Sequence, residues 1–284
     1  MSWTEREERR ARLVEIFADT EQRCASDPAL VEAIGASVHE TRFFGASQWP
    51  NPLAGARARR DGEVRVVEGT TFGILPALER RHPGARICVL NFASPVQPGG
   101  GVRNGSIAQE ECLCRCSTLY PMLDQPQLWD AYYQPNRNAG NPLATDALIY
   151  TPGIVVFKSD VRYPAPMPRE NWRTVDVITC AAPNLREHPG NRHNPQAGKA
   201  VRISADQLRD LHVSRARHIL AVAAAEGVDV MVLGAFGCGA FQNDPWVVAG
   251  ALRQVADEYR EGFDAIDFVV PAGRNLEVFQ RVFG

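Results

Sequence analysis

The sequence predicts an α/β fold, namely a three-layer α/β/α sandwich with a mixed central sheet and an N-terminal helical extension. Two observations support this class. From about residue 60 onward, short β-branched and apolar runs alternate with amphipathic segments, which is the pattern of strands joined by helices. The first 60 residues contain only helical signals and a loop-like stretch. We therefore expect N-terminal accessory helices in residues 1–60 and one α/β domain in residues 61–284.

The N-terminal segments carry the spacing and the start signals of helices. Residues 3–24 repeat apolar side chains at helical intervals among Glu and Arg. Asp27-Pro28 then starts a second helix, expected to run to about Phe43, because proline is pre-set for a first helical turn. Residues 45–62 are rich in Gly, Pro, Asn and Arg and are predicted to form a linker.

In residues 61–284 the runs of β-branched and apolar residues are bounded by turn residues or by helical segments. The predicted strands are 64–67, 87–92, a hairpin or pair of short strands within 148–157 around Pro152-Gly153, 175–179, 228–233 and 266–270. The predicted helices are one from Thr70-Thr71 to Arg81, one from Ala108 to just before Pro121, and those at 204–226, 244–260 and 275–283.

Composition and charge narrow the function classes. The chain has 284 residues, 45% of them hydrophobic, and a net charge of −2. It can bury a large core, and it has no bulk attraction for nucleic acid or acidic membranes. No run of about 18 apolar residues is present, and the charged N-terminus lacks a secretory signal. We therefore expect a cytoplasmic protein that binds neither membranes nor nucleic acid directly.

The cysteines and histidines do not form a recognisable metal site. Seven cysteines, an odd number, favour reduced thiols. Cys112, Cys114 and Cys116 form a C-x-C-x-C run, but helical residues two apart point to different faces, so small buried or half-buried side chains are the preferred interpretation. His188 and His193 lack a third ligand at a useful spacing and are assigned to a solvated loop. We expect no metal and no cofactor.

Two predicted strands each lead into a glycine-rich loop, at residues 98–105 and 234–239. Backbone N–H groups in such loops can bind phosphate oxygens. Neither loop has the G-x-G-x-x-G pattern of a dinucleotide site with its acidic residue, and no G-x-x-x-x-G-K-[ST] occurs. We expect the two loops to face each other at the sheet edge and to hold a diphosphate. The alternative is that both are merely tight turns.

Two adjacent carboxylates, Glu110 and Glu111, follow the first loop at the start of a predicted helix. Acidic residues in this position also stabilise a helix dipole, which is the simpler explanation. Their position at the end of a glycine loop favours acid/base chemistry. Because neighbouring helical residues diverge by about 100°, we expect one glutamate to face the reacting bond and the other to hold a hydroxyl or orient the loop.

These motifs resemble a known family. Gly99-Gly100-Gly101, seven residues, and Gln109-Glu110-Glu111, preceded by Asn91-Phe92-Ala93-Ser94, are similar to the signature of bacterial-type poly(ADP-ribose) glycohydrolases, which are macrodomain proteins. The second loop, from Gly234 to Asn243, is similar to the phosphate loop of that family. The resemblance covers roughly residues 60–275, and the N-terminal helices match more weakly.

The resemblance implies a macrodomain-like fold and hydrolysis of the ribose–ribose bonds of poly(ADP-ribose), releasing ADP-ribose mainly from the free end. Glu111 is then the acid/base catalyst, and Glu110 binds ribose hydroxyls. Arg274 is a candidate for blocking internal cutting. The implied partners are the polymer, ADP-ribose and poly(ADP-ribosyl)ated proteins. The implied substrate-binding residues are Asn91, Ser94, Gly99, Gly100, Gly101, Gln109, Gly237, Cys238, Gly239, Ala240 and Phe241.

The chemistry is consistent with this role, because a buried, protonated glutamate could protonate a leaving ribose oxygen and then deprotonate water. Three alternatives stay open. A mono(ADP-ribosyl) hydrolase shares the fold and the loops. A non-catalytic ADP-ribose-binding macrodomain needs no paired glutamates. A nucleotide-diphosphate hydrolase would need an acidic metal cluster, and no such spacing is seen.

Overall fold

The computed structural model describes residues 3–50, 62–190 and 198–284, and these contain ten helices and seven strands. The helices are α1 (Trp3–Ser26), α2 (Pro28–Glu40), α3 (Leu75–Arg81), α4 (Gln109–Cys116), α5 (Leu119–Leu123), α6 (Pro126–Leu128), α7 (Gln134–Ala139), α8 (Ala205–Ala225), α9 (Pro245–Tyr259) and α10 (Arg274–Phe283). The strands are β1 (Arg42–Phe44), β2 (Glu63–Glu68), β3 (Ile87–Phe92), β4 (Leu148–Val156), β5 (Arg173–Cys180), β6 (Val230–Leu233) and β7 (Ala265–Val270).

The strands form one mixed sheet in the order β1-β4-β5-β3-β6-β7-β2. Strands β5, β3, β6, β7 and β2 are parallel, whereas β4 runs antiparallel to β5 and β1 antiparallel to β4. The carboxyl ends of the five parallel strands therefore meet at one edge of the sheet. In open α/β folds this edge is where ligands bind.

Helices cover both faces of the sheet, as the three-layer prediction requires. In β3, Cys88 and Leu90 pack with α8, α9 and α10 in one buried cluster. Ile87 and Val89 point to the opposite face and pack with α3, α4, α5 and Phe17 of α1. Because successive strand residues alternate between faces, a continuous apolar run serves both layers.

The N-terminal segment is docked on the α/β layers by a buried lysine. Lys158 is 1% exposed, and its Nζ lies 2.8 Å from the carbonyl of Ile16, 2.7 Å from Thr20 Oγ1 and 2.7 Å from Asp19 Oδ2. Thr20 also donates to the carbonyl of Arg115 at 2.7 Å. Helix α1 is thus fixed against α4. The predicted domain boundary near residue 60 lies outside the described residues and stays a prediction.

The prediction that the second helix runs to about Phe43 is wrong. Helix α2 ends at Glu40, and Arg42–Phe44 forms β1, paired antiparallel with β4. A strand of three residues is too short to show an alternating pattern, and the edge of β4 supplies its hydrogen bonds. Of the predicted linker at 45–62, residues 51–61 lie outside the described part of the chain.

Strand β4 also differs from the expected hairpin. It is a single strand with a register shift between Thr151 and Ile154. Pro152 has no N–H to donate, and its carbonyl accepts a hydrogen bond from Ser37. Asp176 accepts from the Gly153 N–H at 3.0 Å. The proline and glycine therefore mark a bulge, which the neighbouring elements stabilise, and not a chain reversal.

Two helix predictions need correction. The helix expected to run from Ala108 to just before Pro121 is split into α4 and α5, because Thr118 pairs with Val155 of β4 through two 3.0 Å hydrogen bonds. Pro121 lies in the first turn of α5, where no N–H is needed. The helix expected to begin at Thr70-Thr71 begins only at Leu75.

None of the helices in the described part of the chain combines the length and the apolar character needed to cross a membrane.

We predict that Lys158→Met weakens the docking of α1. The substitution removes the donor shared by Ile16 and Thr20 in a buried setting, and we expect a loss of about 1–3 kcal/mol in the free energy of unfolding. Urea unfolding measures the change. The control is Lys199→Met, since Lys199 is the other lysine of the chain and is exposed. An equal loss in both variants would contradict the docking role.

Candidate active site

A cavity of about 1250 Å³ lies at the carboxyl edge of the parallel strands. Segments that follow five strands line it, together with the first turns of α1. These segments are 94–97 and 100–101 after β3, 182–186 after β5, 235–241 after β6, 271–275 after β7 and 69–71 after β2. Both predicted glycine loops therefore open into one cavity, as expected from the order of the strands.

Residues at the end of β3 and directly after it hydrogen-bond to the carboxyl group of Glu110. Its Oε2 accepts from the Ser94 N–H at 2.7 Å, and its Oε1 lies 3.4 Å from Asn91 Nδ2. Glu110 is only 3% exposed. A main-chain donor at the rigid strand end therefore fixes where this side chain lies.

Glu111 has one oxygen held and one available. Its Oε1 accepts from the Gly101 N–H at 2.8 Å. Its Oε2 is buried and has no hydrogen-bond partner among the described residues. An unpaired buried polar atom is costly, so such an atom in a native site points to a contact with a ligand or to a bound proton. Both glutamates line the cavity.

Burial raises the pKa of both carboxyl groups. The pKa of Glu110 lies well above its ordinary value because of burial first and of the neighbouring Glu111 second. Burial also raises the pKa of Glu111, against the hydrogen bond from Gly101. Two carboxyl groups in a confined, water-poor space do not both ionise easily. Burial thus favours the protonated forms of these two carboxyl groups.

The glycine loop is shaped by these two carboxyl groups. Gly100 has φ +54°, and a Cβ at this position would lie 2.7 Å from Glu111 Oε1 and 3.0 Å from Glu110 Oε2. A Cβ on Gly99 would lie 2.7 Å from the ring of Tyr120. The two glutamates thus converge on one bare stretch of backbone; which of them faces the reacting bond stays a prediction.

Two N–H groups of the first loop have partners within the protein. That of Gly101 donates to Glu111 Oε1 at 2.8 Å, and that of Gly100 donates to the carbonyl of Gln97 at 3.2 Å. That this loop also holds the diphosphate stays a prediction. Its backbone orients Glu111 and brings a surface without side chains close to the cavity.

The second loop keeps its donors free. The N–H groups of Gly237, Gly239 and Ala240 have no partner among the described residues, and these residues line the cavity with Phe241. Cys238 does not line it, because its N–H donates to the carbonyl of Ala235 at 3.1 Å. Backbone donors that are free in this way favour anions.

Two buried residues, Asn243 and His212, fix the end of the second loop through hydrogen bonds. Asn243 donates through Nδ2 to the carbonyls of Pro183 at 2.6 Å and Phe241 at 3.1 Å. Its Oδ1 then accepts from His212 Nε2 at 2.7 Å, which requires the Nε2–H tautomer. Burial lowers the pKa of His212 to about 4, so the ring is neutral and rigidly placed near neutral pH.

Most of the predicted site residues line the cavity, but three do not. Asn91 is fully buried and contacts Glu110 and, at 3.2 Å, Thr179 Oγ1. Its Nδ2 lies behind Glu110, and its buried Oδ1 has no hydrogen-bond partner among the described residues; its role in binding stays a prediction. Gly99 packs behind the loop against Tyr120, and Cys238 turns away. The predicted residues that line the cavity are Ser94, Gly100, Gly101, Gln109, Glu110, Glu111, Gly237, Gly239, Ala240 and Phe241.

Gln109 links the helix of the glutamates to β3. Its Oε1 accepts from the Phe92 N–H at 2.8 Å, and its Nε2 donates to the Leu90 carbonyl at 2.7 Å and to Thr71 Oγ1 at 3.1 Å. It satisfies the backbone of β3 at the point where the sheet ends. Thr71 therefore belongs to the site, which explains why it does not start a helix.

Sequence reasoning missed several cavity residues, because no motif marks them. They come from loops after other strands and from α1. They include Trp3, Arg6, Arg9, Arg10, Thr70, Thr71, Asn184 and Arg186. Arg274, expected near the site, lines the cavity at the start of α10.

The candidate metal residues are not brought together. In the ranges that the structure describes, no group of three His, Cys, Asp or Glu side chains is placed to hold a metal ion. Cys114 and Cys116 are buried and Cys112 is half-buried on α4, which confirms the interpretation of the C-x-C-x-C run. His188 is exposed, and His193 lies outside the described residues.

Comparison with known protein families identifies the family to which the chain belongs. A family model of the microbial-type poly(ADP-ribose) glycohydrolase (PARG) catalytic domain matches residues 13–159. This span contains the first glycine loop and both glutamates. The chain belongs to this PARG family. It is an enzyme family, and the macrodomain-like fold expected from the resemblance is confirmed by the mixed sheet and its helical layers.

Solved PARG structures are similar over nearly the whole chain. One from Deinococcus radiodurans, in complex with ADP-ribose, is 32% identical and covers 88% of this chain and 96% of its own, with a TM-score of 0.73. One from Thermomonospora curvata is 29% identical, with coverages of 96% and 100% and a TM-score of 0.81.

A further Thermomonospora curvata structure, bound to the inhibitor ADP-HPD, is 28% identical, with coverages of 96% and 99% and a TM-score of 0.79. No curated protein sequence matches the chain.

We predict that Gly100→Ala strongly lowers the PARG activity of this chain, because the methyl group displaces the carboxyl groups of Glu110 and Glu111. The control is Gly84→Ala, since Gly84 also has positive φ (+76°), but a Cβ added there would have no atom within 4 Å. Both variants should lose about 1 kcal/mol of stability from backbone strain. Polymer hydrolysis and thermal unfolding separate the effects. Equal activity in both variants would contradict the convergence of the acids on Gly100.

Proposed function

We propose that the chain hydrolyses the ribose–ribose O-glycosidic bonds of poly(ADP-ribose) and releases ADP-ribose, mainly from the free end of the polymer. The observation that carries this proposal is the buried Oε2 of Glu111, which has no partner among the described residues. It lies in a cavity bordered by a loop with free N–H donors. Membership of the PARG family supports the same reaction.

The substrate is positioned by its charge and by its shape. We place the diphosphate at the free N–H groups of Gly237, Gly239 and Ala240, because backbone donors in such a loop favour anions. The distal ribose then lies between Phe241 and the bare backbone of Gly100 and Gly101. The complex of the Deinococcus radiodurans PARG with ADP-ribose supports a ligand of this class.

Glu111 acts as the acid and then as the base. In the first step its proton passes to the 2′ oxygen of the preceding unit, while the bond from that oxygen to the anomeric carbon breaks and an oxocarbenium-like state forms. The resulting carboxylate then takes a proton from the attacking water, so Glu111 regains its starting form. Burial raises its pKa and so favours the protonated form that this first step needs.

Glu110 positions the sugar. Its oxygens already accept from Ser94 and lie near Asn91, so its geometry is fixed before the substrate binds. It lines the cavity beside Glu111, where it can accept from ribose hydroxyls. Asn91 and Gln109 act through their neighbours and position the glutamates. Glu110 thereby orients the glycosidic bond whose oxygen Glu111 protonates.

A binding module without catalysis accounts less well for this arrangement. Two buried carboxyl groups next to a diphosphate repel an anionic ligand when ionised and are costly to bury. A protein that only binds ADP-ribose gains nothing from them. We further propose that poly(ADP-ribosyl)ated proteins present the polymer to this site. A cytoplasmic location is consistent with seven free cysteines.

We predict that Glu111→Gln abolishes polymer hydrolysis, with a loss of about 10²–10⁴ in turnover, because an amide cannot donate the proton. Glu110→Gln should also lose most activity, chiefly through misplacement of the sugar. Released ADP-ribose measures the rate, and binding of ADP-ribose checks that the fold is intact. Exposed Glu277→Gln is the matched control. Turnover like that of the unmodified protein in Glu111→Gln would rule out the assignment.

We predict that Glu111→Gln, which lowers activity, makes the protein more stable than the unmodified protein as the pH rises. A carboxyl group whose pKa is raised by folding stabilises the protein below its unfolded pKa, and this contribution is lost as the pH rises through the folded pKa. Because glutamine does not titrate, Glu111→Gln removes this pH-dependent loss of stability. As the pH rises above the ordinary glutamate value of 4.5, the melting temperature of Glu111→Gln should therefore increase relative to that of the unmodified protein. A difference that stays constant as the pH rises would contradict the raised pKa.

A further inference from the structure

The cavity continues past Glu111 to the first turns of α1. Trp3, Arg6, Glu7 and Arg10 all line it. Their spacing of i, i+3, i+4 and i+7 places them on one face of the helix. This face is thus part of the cavity wall, although α1 lies far in sequence from both glycine loops.

The first glycine loop separates Glu111 from α1 by only a few residues. On one side, the Gly101 N–H donates to Glu111 Oε1 at 2.8 Å. On the other side, a Cβ on Gly105 would lie 2.6 Å from the backbone oxygen of Arg10. Helix α1 therefore crosses directly over the loop that holds the acid. With the diphosphate at the second loop, the leaving oxygen at Glu111 points into the remaining part of the cavity.

The side chains of this part suit a nucleotide. Trp3 is 76% exposed and Ile107 is 54% exposed, and both line the cavity. The Nε of Arg9 is buried and has no hydrogen-bond partner among the described residues. An aromatic surface with arginines is how proteins bind nucleotide chains without reading a sequence, since bases stack on the ring and guanidinium groups bind phosphates.

The cavity is also larger than a site for one small ligand. Its volume of about 1250 Å³ lies above the range of about 300–1,000 Å³ that is usual for small-molecule sites. A second cavity, of about 370 Å³, adjoins at Arg9 and is lined by Glu5, Glu8, Arg9, Arg12, Arg162 and Tyr163. In it, the Arg12 guanidinium lies 4.0 Å from the centroid of the Tyr163 ring.

We infer that the first turns of α1 form a subsite for the ADP-ribose unit on the leaving side of the cleaved bond. Trp3 stacks on its adenine, and Arg9 and Arg10 bind its diphosphate. The polymer then continues toward the second cavity. This inference rests on the proposed function, because it takes Glu111 as the point of cleavage. It assigns to the N-terminal helix a role in selecting polymer over single ADP-ribose units.

Binding to the inactive variant Glu111→Gln tests the subsite without turnover. Isothermal titration compares ADP-ribose with the two-unit fragment of the polymer. We expect the fragment to bind about tenfold more tightly, the effect of one stacked base with its phosphates. Adding Trp3→Ala or Arg9→Gln should remove most of this advantage and leave the affinity for ADP-ribose unchanged.

The matched control is Arg23→Gln, which removes the same charge from the far end of α1, where Arg23 pairs with Asp19. It should keep the tenfold advantage. The subsite is excluded if ADP-ribose binds and the fragment binds no more tightly, or if the α1 variants weaken both ligands equally. If ADP-ribose itself does not bind, the proposed function fails, and the inference falls with it.

Discussion

The site depends on two buried carboxyl groups that main-chain N–H groups hold at the end of β3. Ser94 fixes Glu110 at 2.7 Å, and Gly101 fixes Glu111 at 2.8 Å. Such bonds need no side-chain ordering, so they place both acids with little freedom. Gln109 ties the same helix to the last residues of the strand. The central sheet thereby restricts the movement of both carboxyl groups.

The two glycine loops serve different purposes, although they look alike in sequence. In the first loop the Gly101 N–H donates to Glu111, and the Gly100 N–H donates to the carbonyl of Gln97. In the second loop the N–H groups of Gly237, Gly239 and Ala240 have no partner among the described residues, and Asn243 hydrogen-bonds to the loop and to neutral His212. Under the proposed function, the first loop orients the acid and the second binds the diphosphate.

The sequence predicted the parts that depend on local patterns. Strand β3 follows from a continuous apolar run, and the pairing of Glu110 and Glu111 with a glycine loop follows from spacing alone. What failed depends on partners distant in sequence. The three residues of β1 become a strand because β4 pairs with them, and Pro152 marks a bulge because Ser37 and Asp176 satisfy its surroundings. The role of α1 could not be predicted for the same reason: its Arg and Glu residues look like a solvated face until Gly105 brings them to the cavity.

The central claim is that burial raises the pKa of Glu111 and so favours the protonated form that can donate to the leaving oxygen. Carbon NMR titration of a glutamate-labelled protein tests it directly, with the Glu110→Gln and Glu111→Gln variants assigning the two carboxyl signals. We predict that both titrate above the ordinary glutamate value of 4.5, with Glu110 the higher. A Glu111 signal that titrates at or below 4.5 in the folded protein would contradict the account.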